Sequence, residues 1–108
     1  MPPVENNSDL TCPSCKEANM HMQRVITFFD EKGEDGMKTK TEVTRADTVV
    51  TRNCNQKSDG YDVGRRDLLV VEFHCEHCSR QAEAKNEKIP SFKLQLMQHK
   101  GSTLVSWE

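Results

Sequence analysis

A mainly β fold in one small domain is what this chain predicts, and three features carry that expectation. Short runs of branched and aromatic residues alternate with a period of two, and clusters rich in glycine and asparagine separate them. Two Cys-x-x-Cys pairs, Cys12/Cys15 and Cys75/Cys78, stand far apart with strand-like sequence between them. A length of 108 residues suits a single domain. With 34% apolar and 30% charged residues its core is modest, so something besides packing must help hold it.

Residues 1–10 are polar and carry Pro2 and Pro3, which reads as an extended lead-in to the domain proper, residues 11–108. From Met20 to Phe29 the parities Met22, Arg24, Ile26, Phe28 and Gln23, Val25, Thr27, Phe29 both carry apolar residues, predicting a strand partly covered on each face. Gly33-Glu34-Asp35-Gly36 has the composition of a turn and hands over to the threonine-rich Met37–Thr44, which makes a hairpin. Over residues 43–52, Val43, Ala46 and Val49/Val50 fall at helical spacing, but threonines at 41, 44, 48 and 51 favour strand. Strand is the expectation. Residues 53–66, dominated by Asn, Ser, Asp and Gly, read as a long loop.

Leu68–Phe73 is the most apolar run, short enough for a central strand, and it leads straight into the second cysteine pair. Ser79–Lys88 reads as a helical turn or a ragged strand, ending where Ile89 is pushed to extended geometry by Pro90. Phe92, Leu94 and Leu96 then alternate with Lys93, Gln95 and Met97. Lys100-Gly101-Ser102 turns the chain into Thr103–Trp107, closing a second hairpin.

The two cysteine pairs carry the chemistry. A two-residue spacing lets a tight turn point both thiolates at one spot, and two such pairs supply the four soft ligands of a tetrahedral zinc. One structural zinc held by Cys12, Cys15, Cys75 and Cys78 is therefore the expected cofactor, although the intervening residues 16–74 exceed the spacing of about 15–20 found in compact sites. Four sulfurs leave no open coordination position, so no enzymatic role is expected of the metal. His74 and His77 flank Cys75 and are expected to stay outside the ligand set, and Cys54 reads as an inert loop thiol.

With its pairs on β-hairpins the chain resembles zinc-ribbon domains over both cysteine turns and the adjoining strands. Its C-terminal third also resembles small uncharacterised proteins of phage and prophage type. The ribbon resemblance implies a recognition or assembly role, and the long insert between the pairs departs from it. Cys12-Pro13-Ser14-Cys15 resembles the Cys-Pro-x-Cys centre of glutaredoxin-like enzymes, but a strand pattern soon follows where those need a helix.

A net charge of −2, from 15 basic and 17 acidic residues interspersed, lacks the basic excess of general phosphate binders. No apolar run reaches the about 20 residues of a membrane span, and the start lacks the pattern of an export signal, so a cytoplasmic protein without membrane or small-molecule partners is expected. The first functional expectation is a non-enzymatic module that binds or regulates another protein through the loop residues Tyr61, Arg65 and Arg66, types enriched at binding hot spots. The alternatives are a nucleic-acid-binding ribbon using Lys38, Lys40, Arg45, Lys93 and Lys100, and a dithiol redox protein.

Overall fold

The computed structural model describes residues 9–30, 38–61, 66–99 and 101–108. Six strands form one antiparallel sheet: β1 (Met20–Asp30), β2 (Lys38–Thr44), β3 (Thr48–Cys54), β4 (Leu68–Cys75), β5 (Phe92–His99) and β6 (Ser102–Trp107), in the order β3-β2-β1-β4-β5-β6. One helix, α1 (Glu76–Ala84), leaves the end of β4, and a 3₁₀ turn spans Gln56–Asp59. The mainly β expectation holds, but the two hairpins and the insert are continuous members of a single sheet. Leu68–Phe73 is central as its composition requires, since β4 pairs with both β1 and β5.

Residues 43–52 are strand on both sides of a break. Thr44 ends β2 because its hydroxyl accepts from the amides of Ala46 and Asp47 at 3.2 and 3.1 Å, a local turn that outcompetes the ladder. Asp47 then starts β3 by accepting from the amide of Thr48 at 2.8 Å. The turn expected at Gly33–Gly36 lies outside the described residues. The β5–β6 turn needs a positive φ, and Gly101 supplies it at 83°. Ser79–Lys88, open between helix and strand in the sequence, falls largely within α1, which stops as Asn86 adopts a φ of 56°.

The covered face of the sheet holds the core. Ile26 faces Val70 and Phe28 faces Leu68 across β1 and β4, all four buried. Tyr61 closes over them, its ring 5.5 Å from that of Phe28. Cys54 and Met97 pack against the same cluster. Burying side chains of this size contributes about 1.5–3 kcal/mol each, so this patch alone supports a marginal domain. The 53–67 segment is thus partly structural: Gln56 is buried, and the amide of Tyr61 donates to its carbonyl at 3.0 Å. Farther along this face Arg24 donates to Glu72 at 2.7 Å, with Glu42 at 3.7 Å from the same guanidinium.

Candidate metal centre

Cys12 and Cys15 lie in a tight turn just before β1. The amide of Lys16 donates to the carbonyl of Cys12 at 3.0 Å, and that of Cys12 to the carbonyl of Glu17 at 2.8 Å, so the backbone doubles back within six residues. Lys16 takes a φ of 67° to complete the reversal. The amide of Ser14 points at the sulfur of Cys12, 3.4 Å away, the donor arrangement a thiolate requires.

The second pair is built differently. Cys75 ends β4 and caps α1 in extended geometry (φ −99°, ψ 126°), and Cys78 sits in the first turn of the helix. The expectation that both pairs ride on β-hairpins is therefore corrected for Cys75/Cys78: a strand-to-helix junction presents them. The junction is anchored from the other pair's side, since the amide of Glu76 donates to the carbonyl of Asn19 at 3.0 Å. Helix placement aims the positive end of a peptide dipole at the sulfurs, which suits a thiolate-rich centre.

The two pairs meet. Met20 faces Cys75 across β1 and β4, which brings the early turn beside the late junction. All four sulfurs lie within 4.8 Å of one another, with Cys15 and Cys75 at 3.4 Å and Cys12 and Cys78 at 3.9 Å. A tetrahedron of Zn–S bonds of about 2.3 Å has sulfur–sulfur edges of about 3.8 Å, so the donor set fits such an ion in number, kind and spacing. Cys12, Cys75 and Cys78 are buried, and Met20 and Phe92 pack against them. Without an ion the group is electrostatically uncomfortable. Burial and the three neighbouring sulfurs push Cys78 up to about 12, and burial raises Cys15 as well. At Cys12 burial also raises the value, but the amides of Cys15 and Ser14 outweigh it and bring the thiol down to about 7. Coordination by a dication removes this conflict by deprotonating all the thiols.

The histidines stay outside the sulfur group as expected. Strand alternation turns His74 to the face opposite Cys75, where its ring stacks on that of His21 at 5.0 Å, and His77 is exposed on α1. His21 in turn lies 3.9 Å from Glu76. This stacked pair was not anticipated, because a single histidine on each of two strands signals nothing until the register is known. Cys54 lies apart from the centre, half-buried at the end of β3, with its thiol pushed up by burial and by Asp59.

The residues expected to contact a partner separate. Tyr61 is corrected from an exposed hot spot to a core residue at 7% exposure, because the apolar patch on β1 and β4 needs a cover and the loop supplies its ring. Arg66 is exposed, and Arg65 lies outside the described residues. Of the basic residues weighed for nucleic acid, Lys38 is fully buried, and Lys40 is 2.6 Å from Asp59. Lys93 sits 5.9 Å over the Tyr61 ring, Arg45 is exposed, and Lys100 lies outside the described residues. No helix among the described residues is long and apolar enough to cross a membrane. Comparison with protein-family models, curated proteins and solved structures gives no match, so the four-sulfur geometry itself is the ground for any assignment.

Proposed function

We propose that this chain is a non-enzymatic interaction module stapled by one structural zinc, with another protein as its partner. The observation that carries the reading is the convergence of Cys12, Cys15, Cys75 and Cys78 within 4.8 Å, three of them buried. A sulfur tetrahedron closes the coordination sphere, so a zinc there contributes folding free energy and has no position left for substrate. The work then falls to the protein surface. Arg66 stands exposed just before β4, its carbonyl accepting from the buried Gln56 at 3.4 Å, and offers a charge that pairs with a carboxylate on a partner.

Two measurements test the two halves. Native mass spectrometry with metal analysis is expected to find one zinc per chain, falling below a tenth of that in Cys75→Ser. A metal-free folded chain, or zinc retained by Cys75→Ser, would end the structural-zinc reading. Affinity capture with Arg65 and Arg66 both changed to Ala is expected to lose a partner that the parent chain retains, and retention of every partner refutes the loop's role.

A further inference from the structure

The four sulfurs are unequally placed toward solvent. Cys12 and Cys75 are fully buried and Cys78 is 9% exposed, whereas Cys15 is partly open. On the helix side, Cys78 and Ser14 line a polar depression of about 250 Å³ together with Gln81, Lys85 and Lys88. A small molecule thus has two approaches to the group, one at Cys15 and one at Cys78.

The sulfurs are also unequally placed toward one another. The shortest contacts described both run from one pair to the other, 3.4 Å between Cys15 and Cys75 and 3.9 Å between Cys12 and Cys78. Closing them to the S–S bond of about 2.05 Å takes only about 1.4 and 1.9 Å of movement. Backbone contacts outside the sulfur group hold the two turns face to face meanwhile: Met20 pairs with Cys75, and the amide of Glu76 donates to the carbonyl of Asn19 at 3.0 Å.

We propose that the sulfur group is a peroxide-sensitive switch, in which Cys15 attacks hydrogen peroxide, the zinc is expelled, and disulfides form across the pairs as Cys15–Cys75 and Cys12–Cys78. The switch rests on the four-sulfur zinc proposed above and assigns that site its regulation. Zinc holds all its sulfurs as thiolates, the nucleophilic form. The Cys15 sulfur takes one oxygen of the peroxide: an S–O bond forms, the O–O bond breaks and hydroxide leaves, giving a sulfenic acid. The Cys75 thiolate then attacks that sulfur, so the S–S bond forms, the S–O bond breaks and a second hydroxide leaves. Two electrons have passed from two sulfurs to one peroxide. The ion keeps only Cys12 and Cys78, half of its ligands, and dissociates; a second peroxide joins these two by the same steps. Four thiolates and two peroxides thus become two disulfides and four hydroxides, and one zinc ion is freed. A dithiol reductant reverses both bonds and restores the ligand set. Bonds across the pairs exchange an ionic staple for a covalent one, so the early turn stays joined to the strand-to-helix junction while the centre beside Lys85 and Lys88 loses its net negative charge.

The test uses the Cys54→Ser chain, which has no thiol outside the group, with its zinc content measured first and a chromophoric zinc indicator present during titration with hydrogen peroxide. Release is expected to finish at about two peroxides per zinc. Trypsin, after free thiols are blocked, then reads the linkage, because Cys12 and Cys15 share the fragment ending at Lys16 while Cys75 and Cys78 share residues 67–80. Bonds across the pairs give one linked species that reduction splits in two, expected to exceed the separate fragments at least tenfold. Electron-transfer fragmentation distinguishes the proposed crossing from Cys12–Cys75 with Cys15–Cys78. Dimedone added with substoichiometric peroxide is expected to mark Cys15, and dithiothreitol is expected to return the zinc. Separate fragments, the opposite crossing, dimedone on another cysteine, sulfinic or sulfonic acid in place of disulfide, zinc held against a tenfold excess of peroxide, or zinc not recovered on reduction would overturn the switch and leave the structural zinc standing. A chain without zinc before peroxide would end the zinc reading, and the switch with it.

Discussion

Acidification is expected to strip the metal in a steep step involving several protons. Only thiolates coordinate, so each thiol that holds its proton in the metal-free centre must lose it on binding. Cys78, pushed up to about 12, and Cys15, raised by burial, are protonated at neutral pH, and Cys12, at about 7, is half so. These protons compete with the ion, so binding weakens as pH falls, and the competition deepens below pH 7 as Cys12 fills. Each displaced proton lowers the apparent association constant about tenfold per pH unit, so these three thiols alone give a slope of about 2.5 decades at pH 7 and about 3 below pH 6. An apparent affinity of about 10–16 kcal/mol at neutrality then falls to the level of a 10 µM sample between about pH 4.7 and 6.2. Loading the centre with cobalt and following the thiolate-to-metal charge-transfer band against pH measures the slope, with a midpoint displaced to higher pH than zinc's because cobalt binds more weakly; zinc release to a chromophoric indicator gives the zinc midpoint. A slope of one proton or fewer, or a band that survives below pH 4, would refute a centre made of these sulfurs.

Three further outcomes are expected. Phe28→Ala removes a fully buried ring from the patch under Tyr61 and should cost about 3–5 kcal/mol in urea unfolding, with the zinc stoichiometry of the folded fraction unchanged. Arg24→Met breaks the 2.7 Å bond to Glu72 and leaves a largely covered carboxylate without its cation; after allowance for the exposure of the arginine, about 1–2 kcal/mol should be lost, and Glu72→Gln in the same background should recover part of it. Cys54, raised and half-buried, should react with iodoacetamide at pH 8 more slowly in the folded chain than in urea, and Cys54→Ser should leave the metal content intact, both readable by mass spectrometry.

The two-residue period made the strands legible, because β1, β4 and β5 carry branched and aromatic residues wherever a pleated surface needs them. The sulfur group was legible for a related reason: Cys-x-x-Cys spacing is local chemistry that any tight turn realises. What lay hidden depended on register. Apolar residues on both parities of β1 announced two buried faces, but only the pairing of Ile26 with Val70 and of Val25 with Val71 shows which face the loop covers. Tyr61 was read outward because its neighbours are polar, whereas a small core recruits any nearby ring. The break at Arg45–Asp47 escaped a propensity argument because a hydroxyl of Thr44 decides it, and the helix after Cys75 because a short polar segment has little period of its own.

The position of the sulfur staple bears on how the chain assembles. β2 with β3 and β5 with β6 are neighbours in sequence and can zip in microseconds, but β1 must find β4 across residues 31–67. The staple sits at the end of that pair remote from the detour, where Met20 faces Cys75 and the partners are farthest apart along the chain. An ion first caught by one pair of cysteines becomes a lure for the other, turning the most distant search in the molecule into a tethered one. Scarcity of metal during synthesis is then expected to accumulate chains with finished outer hairpins and an unjoined central seam, whose bare strand edges are the kind that capture one another.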